Sequence, residues 1–204
     1  MDELEATENA NIGDRIEAGT LLIAGAITKG NIEIEYDEPK NILSITDKLA
    51  QAGCEISFSN GVIGLNAENI SLESVDIITN IFPGFPTDMQ AQWTALMTIA
   101  NGTSTVTDNI YFDRFKHVDE LNRLGANIEV IKNSAVVKGV KSLKGAKVMS
   151  TDLRASASLV LAGLAAEGAT EVLRIYHLDR GYQKIEEKLC NLGADIKRVA
   201  TSEF

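Results

Sequence analysis

Cysteine, histidine and proline are scarce in this 204-residue chain, which holds two cysteines, two histidines and three prolines. Cys54 and Cys190 are too few for a disulfide framework, and His117 and His177 are too far apart in sequence to suggest a metal centre, so neither a metal nor another cofactor is expected. Long apolar runs are absent too. The longest charge-free stretch, Met89 to Thr107, is interrupted by Gln, Thr, Asn, Ser and Gly, which excludes a membrane span. No basic-then-apolar leader opens the chain, so the expectation is a soluble, cytoplasmic protein with no membrane partner. Positive charge is the minority: 19 Lys and Arg against 29 Asp and Glu leave a net charge of -10, which argues against nucleic acid as a partner. Any anionic ligand must then be met by a few well-placed arginines. What remains, 45% hydrophobic and 24% charged, is the composition of a chain that buries a real core.

The chain repeats itself. Three segments end alike, Asp47-Lys-Leu-Ala-Gln-Ala-Gly-Cys-Glu-Ile56, Asp119-Glu-Leu-Asn-Arg-Leu-Gly-Ala-Asn-Ile128 and Glu187-Lys-Leu-Cys-Asn-Leu-Gly-Ala-Asp-Ile196, with glycines 53, 125 and 193 spaced 72 and 68 apart. A second trio, apolar helices closing on Gly30, Gly102 and Gly168, is spaced 72 and 66. Each unit reads as helix, strand, helix and then one or two strands, giving repeats of about 12–72, 73–148 and 149–204 within one domain spanning 1–204. The first helices, Ala18 to Thr28, Met89 to Ala100 and Ala155 to Ala166, carry no charge and are rich in small residues, as a helix surrounded on all sides must be. The second helices, near Ile42–Ala52, Val118–Leu124 and Tyr182–Leu192, mix apolar and charged residues and keep one wet face. Hairpins are predicted across Ser59-Asn60-Gly61 and Lys132-Asn133-Ser134, and the third unit ends at Arg198 to Phe204 before its hairpin is complete. The fold class is therefore mixed α/β, a pseudo-threefold arrangement with uncharged helices inside and sheets outside.

Candidate chemistry gathers where the inner helices begin. Asp14 to Glu17 reads as a capping box, Thr87 to Gln90 as another, and Thr151-Asp152 opens the third helix. Converging helix starts make an anion site. Four of the seven arginines, Arg15, Arg114, Arg154 and Arg180, sit at the repeat junctions, and guanidinium groups grip carboxylate and phosphate through two bonds at once. Phe82-Pro-Gly-Phe-Pro-Thr-Asp88 brackets a turn with two prolines and delivers an acid to a helix start, a rigid placement suited to a general base. Plainer readings stand beside these: Asp14 and Asp152 as simple caps, Arg114 and Arg180 as surface turn pairs, Cys54, Cys190 and Trp93 as packing or surface residues, and His177 as a bystander.

Five strings, Asp14-Arg-Ile-Glu-Ala-Gly-Thr20, Pro83-Gly-Phe-Pro-Thr-Asp-Met-Gln-Ala-Gln92, Asp113-Arg-Phe-Lys-His-Val-Asp-Glu-Leu121, Thr151-Asp-Leu-Arg-Ala-Ser-Ala-Ser-Leu159 and Tyr176-His-Leu-Asp-Arg-Gly-Tyr182, closely resemble the UDP-N-acetylglucosamine enolpyruvyl transferase family. The resemblance runs from Glu3 to Arg198 and covers only the second half of that enzyme. It implies an inside-out α/β barrel, incomplete here at its N-terminal strand. It implies transfer of enolpyruvyl from phosphoenolpyruvate to the 3-hydroxyl of UDP-N-acetylglucosamine, the first committed step of peptidoglycan synthesis. By motif match Asp88 is the catalytic base, Ile110 a backbone contact to the UDP-sugar, and Arg114 the partner of the phosphoenolpyruvate carboxylate. Arg154 and Arg180 serve its phosphate, and Asp14 and Asp152 line the cleft. The family's catalytic cysteine loop, its Lys-Asn pair and its uridine-binding segment belong to the half not matched, and neither Cys54 nor Cys190 takes that place. The chain alone is therefore expected to be inactive, with the missing half as partner and an exposed sheet edge open to self-association. A non-catalytic binding or regulatory module, or transfer to another acceptor such as shikimate 3-phosphate, remain as alternatives.

Overall fold

A computed structural model of the chain describes residue 8 and residues 10–200. The expected absence of an N-terminal strand and the end of the third unit, up to Phe204, fall on residues outside those described. Three helices form the interior: α1 (Arg15–Ile27), α3 (Gln90–Met97) and α5 (Leu153–Ala165), each packed against the other two. Their faces are almost wholly buried, and small side chains allow the close approach: Ala18, Gly19, Ala24 and Ala26 on α1, Ala91 and Ala95 on α3, Ala155, Ser156, Ala157 and Ser158 on α5. One polar group joins the inner helices, while both polar atoms of the buried Gln90 side chain have no hydrogen-bond partner among the described residues. The Gln92 amide donates to Thr20 Oγ1 at 3.3 Å and to the Tyr182 hydroxyl at 3.1 Å, and Thr20 and Tyr182 stand 2.9 Å apart. Trp93 is fully buried, edge-on to Phe85 at 5.6 Å, with its ring nitrogen donating to the Val75 carbonyl at 3.1 Å.

The outer helices are α2 (Leu43–Gln51), α4 (His117–Arg123) and α6 (Ile185–Asn191), each followed by a glycine with positive φ: Gly53, Gly125 and Gly193. Around them lie β1 (Asn31–Glu35), β2 (Glu55–Ser59) and β3 (Val62–Asn66) as one antiparallel sheet in the order β1-β3-β2. The second repeat reproduces it with β5 (Thr103–Thr107), β6 (Asn127–Ile131) and β7 (Ser134–Lys138), and β4 (Ile77–Ile78) adds in parallel to give β4-β5-β7-β6. Both hairpins turn on two residues, Asn60-Gly61 and Lys132-Asn133, as the pairings Ser59 with Val62 and Ile131 with Ser134 show. The third repeat is thinner: β8 (Leu143–Lys144) pairs with β10 (Ala166–Glu167), β9 (Lys147–Met149) with β11 (Glu171–Leu173), and residues 194–200 form no strand.

Three local expectations need correction. The Thr87 to Gln90 capping box does not form: Thr87–Met89 is a 3-10 turn, and the Thr87 hydroxyl is drawn instead to the buried carboxylate of Asp108, 2.7 Å away. Helix α3 is accordingly shorter than Met89 to Ala100. The third outer helix begins at Ile185, not Tyr182, because Lys184 takes a left-handed conformation, φ 49°, that breaks the helix from the preceding 3-10 turn Ile175–Arg180.

Candidate anion site at the starts of the inner helices

Asp14 and Asp152 cap α1 and α5: Asp14 Oδ1 accepts from the Ile16 and Glu17 amides at 2.8 and 3.3 Å, Asp152 Oδ1 from those of Arg154 and Ala155 at 2.9 and 3.0 Å. These bonds satisfy helix-end N–H groups that have no partner within the helix. Asp88 lies in the 3-10 turn that opens α3. That turn is set by the loop before it, where the Asn80 amide donates to the Phe85 carbonyl at 2.9 Å and the Met89 amide to the Pro86 carbonyl at 3.0 Å. The Arg15 guanidinium stands over the Phe82 ring at 5.1 Å, so the start of α1 meets the same loop.

The carboxylate of Asp88 faces two arginines. Arg154 Nε donates to Asp88 Oδ1 at 2.7 Å and its Nη2 reaches the same oxygen, while Arg114 Nη1 stands 3.7 Å from it. Arg114 is held flat, its guanidinium 3.6 Å from the centre of the Tyr111 ring and its Nη1 donating to Thr87 Oγ1 at 3.2 Å. The group is partly open to solvent, with Asp88 the most exposed member at 40%. Arg180 ends the exposed 3-10 turn Ile175–Arg180 and has no hydrogen bond or ion pair to Asp88; Gly181 beside it packs on Leu153, next to Arg154. Ile110 is half-buried, and its N–H is already committed to Asp108 Oδ1 at 2.9 Å.

Asp108 is the residue that sequence reasoning missed. It is fully buried, and Thr79 Oγ1, Thr87 Oγ1 and the amides of Ile110 and Tyr111 all donate to it at 2.7 to 2.9 Å. Burial pushes its carboxyl pKa up, but the bonds from Tyr111, Thr87, Thr79 and Ile110 outweigh this and hold it below the ordinary value. Its one sequence signal is an Asp-Asn pair closing a β-branched strand, the composition of an Asx turn. Cys54 is buried, which pushes its thiol up to about 11, so it is no thiolate; Cys190 is exposed, with Sγ 3.0 Å from the Ile196 carbonyl oxygen. Among the described residues, no group of three or more His, Cys, Asp or Glu could hold a metal ion, and no helix is long and apolar enough to cross a membrane.

Two guanidinium groups and a carboxylate thus stand together at the start of the α3 segment, a class of chemistry able to pair with a small anion next to a proton acceptor. Comparison with known proteins gives that class a family: residues 2–189 match the model for EPSP synthase (3-phosphoshikimate 1-carboxyvinyltransferase), and the chain belongs to this enolpyruvyl transferase family. Among curated relatives it is 59% identical over 204 residues to the UDP-N-acetylglucosamine 1-carboxyvinyltransferase of Chlorobium limicola and 57% identical over 203 residues to that of Chlorobium luteolum. It spans 48% of each of these relatives' length. Among solved structures, the enolpyruvyl transferase NikO from Streptomyces tendae superposes with a TM-score of 0.82 at 28% identity, over 91% of this chain and 44% of that one. EPSP synthase from Acinetobacter baumannii, at 18% identity and a TM-score of 0.61 over 79% of this chain and 39% of that one, shares the fold.

Proposed function

We propose that this chain is the C-terminal portion of an enzyme that moves enolpyruvyl from phosphoenolpyruvate to the 3-hydroxyl of UDP-N-acetylglucosamine, in the cytoplasm, at the first committed step of peptidoglycan synthesis. The observation that carries the reading is the contact of Asp88 with Arg154 and Arg114, which sets a proton acceptor beside two anion-binding groups. Phosphoenolpyruvate carries both a carboxylate and a phosphate. Arg114 takes the carboxylate, and Arg154 with Arg180 takes the phosphate. A sugar hydroxyl is too weak an acid for a carboxylate to ionise in advance, so Asp88 receives its proton as the oxygen bonds to the central carbon of the enol. The methylene carbon gains a proton in the same addition, and elimination then removes that proton and expels phosphate. The arginines stabilise the anionic groups throughout. Asp14 and Asp152 line the cleft, and the Ile110 backbone borders the UDP-sugar.

The general acid for the methylene carbon is assigned to the part of the relatives that this chain does not span, so the chain alone does not turn over. The three repeats act as one pseudo-threefold unit of inside-out barrel type. The edge strand β6, which exposes Val130 and Ile131, offers a surface for self-association. The name of the matching family model points to shikimate 3-phosphate as a rival acceptor, whereas the relatives at 57 and 59% identity bear the UDP-sugar name. Phosphate release separates these readings. The purified chain is assayed with phosphoenolpyruvate and each acceptor, alone and with the N-terminal half of the Chlorobium limicola relative. Release only with both halves and UDP-N-acetylglucosamine is expected. Release by the chain alone, or with shikimate 3-phosphate in its place, overturns the proposal, and binding without release in any combination favours a non-catalytic module.

A further inference from the structure

Asp108 is a fully buried carboxylate with no ion pair among the described residues, an expensive group to keep in a protein interior. Its four donors come from three separate places. Thr79 follows β4, Thr87 opens the turn that carries Asp88, and Ile110 and Tyr111 begin the turn that carries Arg114. The main chain of Asp108 is itself pinned to the β6–β7 hairpin: its amide donates to the Asn133 carbonyl at 2.9 Å, and Asn133 Nδ2 donates to its carbonyl at 3.3 Å.

The direction of one proton follows from this arrangement. An ionised carboxylate only accepts, and a threonine hydroxyl has a single proton to give. The proton of Thr87 therefore lies on the 2.7 Å line to Asp108 Oδ2, which leaves the lone pairs of Oγ1 for Arg114 Nη1 at 3.2 Å. Arg114 can only donate, so its one side-chain hydrogen bond among the described residues, to Thr87, needs a lone pair turned toward it, beside the Tyr111 ring and the Asp88 charge that also face it. We propose that Asp108 is a positioning residue for the anion site: by orienting the Thr87 hydroxyl and fixing the backbone under Tyr111, it holds the Arg114 guanidinium beside Asp88. The ligand that Arg114 then meets rests on the enolpyruvyl transfer reading; the placement of Arg114 does not.

Substitution by asparagine reverses the polarity selectively. Three donors converge on Oδ1 and one on Oδ2, so the amide oxygen of the asparagine stays at the Oδ1 position and its NH2 faces Thr87. The Thr87 oxygen then accepts from that NH2, and its proton, having lost the acceptor that fixed it, shares the two remaining positions with a lone pair, so a lone pair facing Arg114 is no longer imposed. Removing the hydroxyl by Thr87→Val releases Arg114 by the same route, whereas Thr87→Ser keeps it.

The test is arginine side-chain NMR on the whole chain, with Arg114 assigned from Arg114→Lys, in the wild type, Asp108→Asn, Thr87→Val, Thr87→Ser and the double variant Asp108→Asn/Thr87→Val. Separate Nη signals, the mark of a guanidinium that cannot rotate freely, are expected in the wild type and Thr87→Ser. Averaged signals are expected in Thr87→Val and faster Nη exchange than in the wild type in Asp108→Asn, with the double variant no different from Thr87→Val, because both act through one hydroxyl. The backbone amide spectrum shows whether each variant is folded; if Asp108→Asn is not, Thr87→Val decides alone. Averaged Arg114 signals in the wild type, separate signals in folded Thr87→Val, or wild-type exchange rates in folded Asp108→Asn overturn the proposal. Titration with phosphoenolpyruvate is read independently: the dissociation constant is expected to rise about tenfold in Thr87→Val and by less in Asp108→Asn. A wild-type chain that binds no phosphoenolpyruvate counts against the functional reading, and the ligand-free Arg114 signal still decides this one.

Discussion

Arg154 directs Nε–H and Nη2–H onto the same oxygen of Asp88, Oδ1, and no hydrogen bond reaches Oδ2 among the described residues. One carboxylate oxygen is thus tied to a cation while the other remains available to accept a proton. In this state Asp88 also occupies the guanidinium proposed to take the ligand phosphate, so on that reading acid and ligand compete for Arg154. Asp88→Asn removes the competing charge. Because Asp88 is 40% exposed, the ion pair falls in the range of up to about 1 kcal/mol, and inorganic phosphate is expected to bind about two- to fivefold more tightly to the variant by calorimetry. On the proposed function, the same change is expected to abolish enolpyruvyl transfer by the chain combined with the N-terminal half of the Chlorobium limicola relative. Weaker phosphate binding by Asp88→Asn contradicts the competition.

The two capping aspartates separate a structural role from a ligand role. Asp14→Ala and Asp152→Ala each leave two N–H groups of a helix end without a side-chain acceptor and are expected to cost about 1 kcal/mol in urea unfolding. Asparagine accepts the same bonds, so Asp14→Asn and Asp152→Asn should cost a few tenths at most. If Asp152 also shapes the cleft by its charge, Asp152→Asn changes phosphate affinity while leaving stability nearly unaltered.

The repeat and its inner helices were legible because composition alone marks them: a helix without charge and rich in Ala, Gly, Ser and Thr has nowhere to go but inside. The hairpins were legible from Asn60-Gly61 and its counterpart at Lys132-Asn133. The convergence of Asp88 with Arg114 and Arg154 was legible from motifs, since the two-proline loop delivers Asp88 to a helix start and the arginines stand at the repeat junctions; Arg180, expected with them, makes no ion pair with Asp88. Asp108 and Thr87 were not. Their roles depend on bonds between residues 21 to 29 positions apart, and local pattern suggested a capping box for Thr87 where a buried carboxylate outcompetes the helix end. The third outer helix, expected from Tyr182, starts only at Ile185 because Lys184 is left-handed, and the hydroxyl of Tyr182 bonds to Thr20 and Gln92 in the core.

His117 makes stability depend on pH. It opens α4 with its ring buried and its Nε2 unpartnered, and burial pushes its pKa from 6.5 down to about 4, only partly offset by the charge of Asp152. The folded pKa lies below the unfolded one, so the unfolded chain binds the extra proton between these values. The contribution of the neutral ring is complete above about pH 6.5 and is lost as pH falls toward 4. Over that window it amounts to about 3 kcal/mol at most. Urea unfolding at pH 7 and pH 4.5 should show a clearly smaller difference for His117→Leu than for the wild type. Equal differences in the two proteins would show that His117 is not the group responsible.

Two glycines should fail for different physical reasons. Gly125 ends α4 with φ +90° and has no atom within 4 Å of where a side chain would start, so only its backbone conformation demands glycine. Gly139 has an ordinary φ, but a side chain there would run into the carbonyl of Ala100 at the end of the α3 segment. The two strands of chain are fastened at that point by bonds from the Gly139 amide to the Gly102 carbonyl at 3.0 Å and from the Val140 amide to the Thr98 carbonyl at 2.7 Å, so neither can withdraw cheaply. Asparagine tolerates the left-handed region, so Gly125→Asn is expected to be milder than Gly125→Ala, which costs about 1 kcal/mol. At Gly139 the order reverses, since any side chain collides and the larger one collides more; Gly139→Ala is expected to cost about 1–3 kcal/mol and Gly139→Asn more. For a chain of this size each kcal/mol lowers the melting temperature by about 2–4 °C, so a thermal scan of the four variants reads both orders directly. A Gly139→Asn protein as stable as the wild type would mean that the α3 end and the strand beside it are not held together as described.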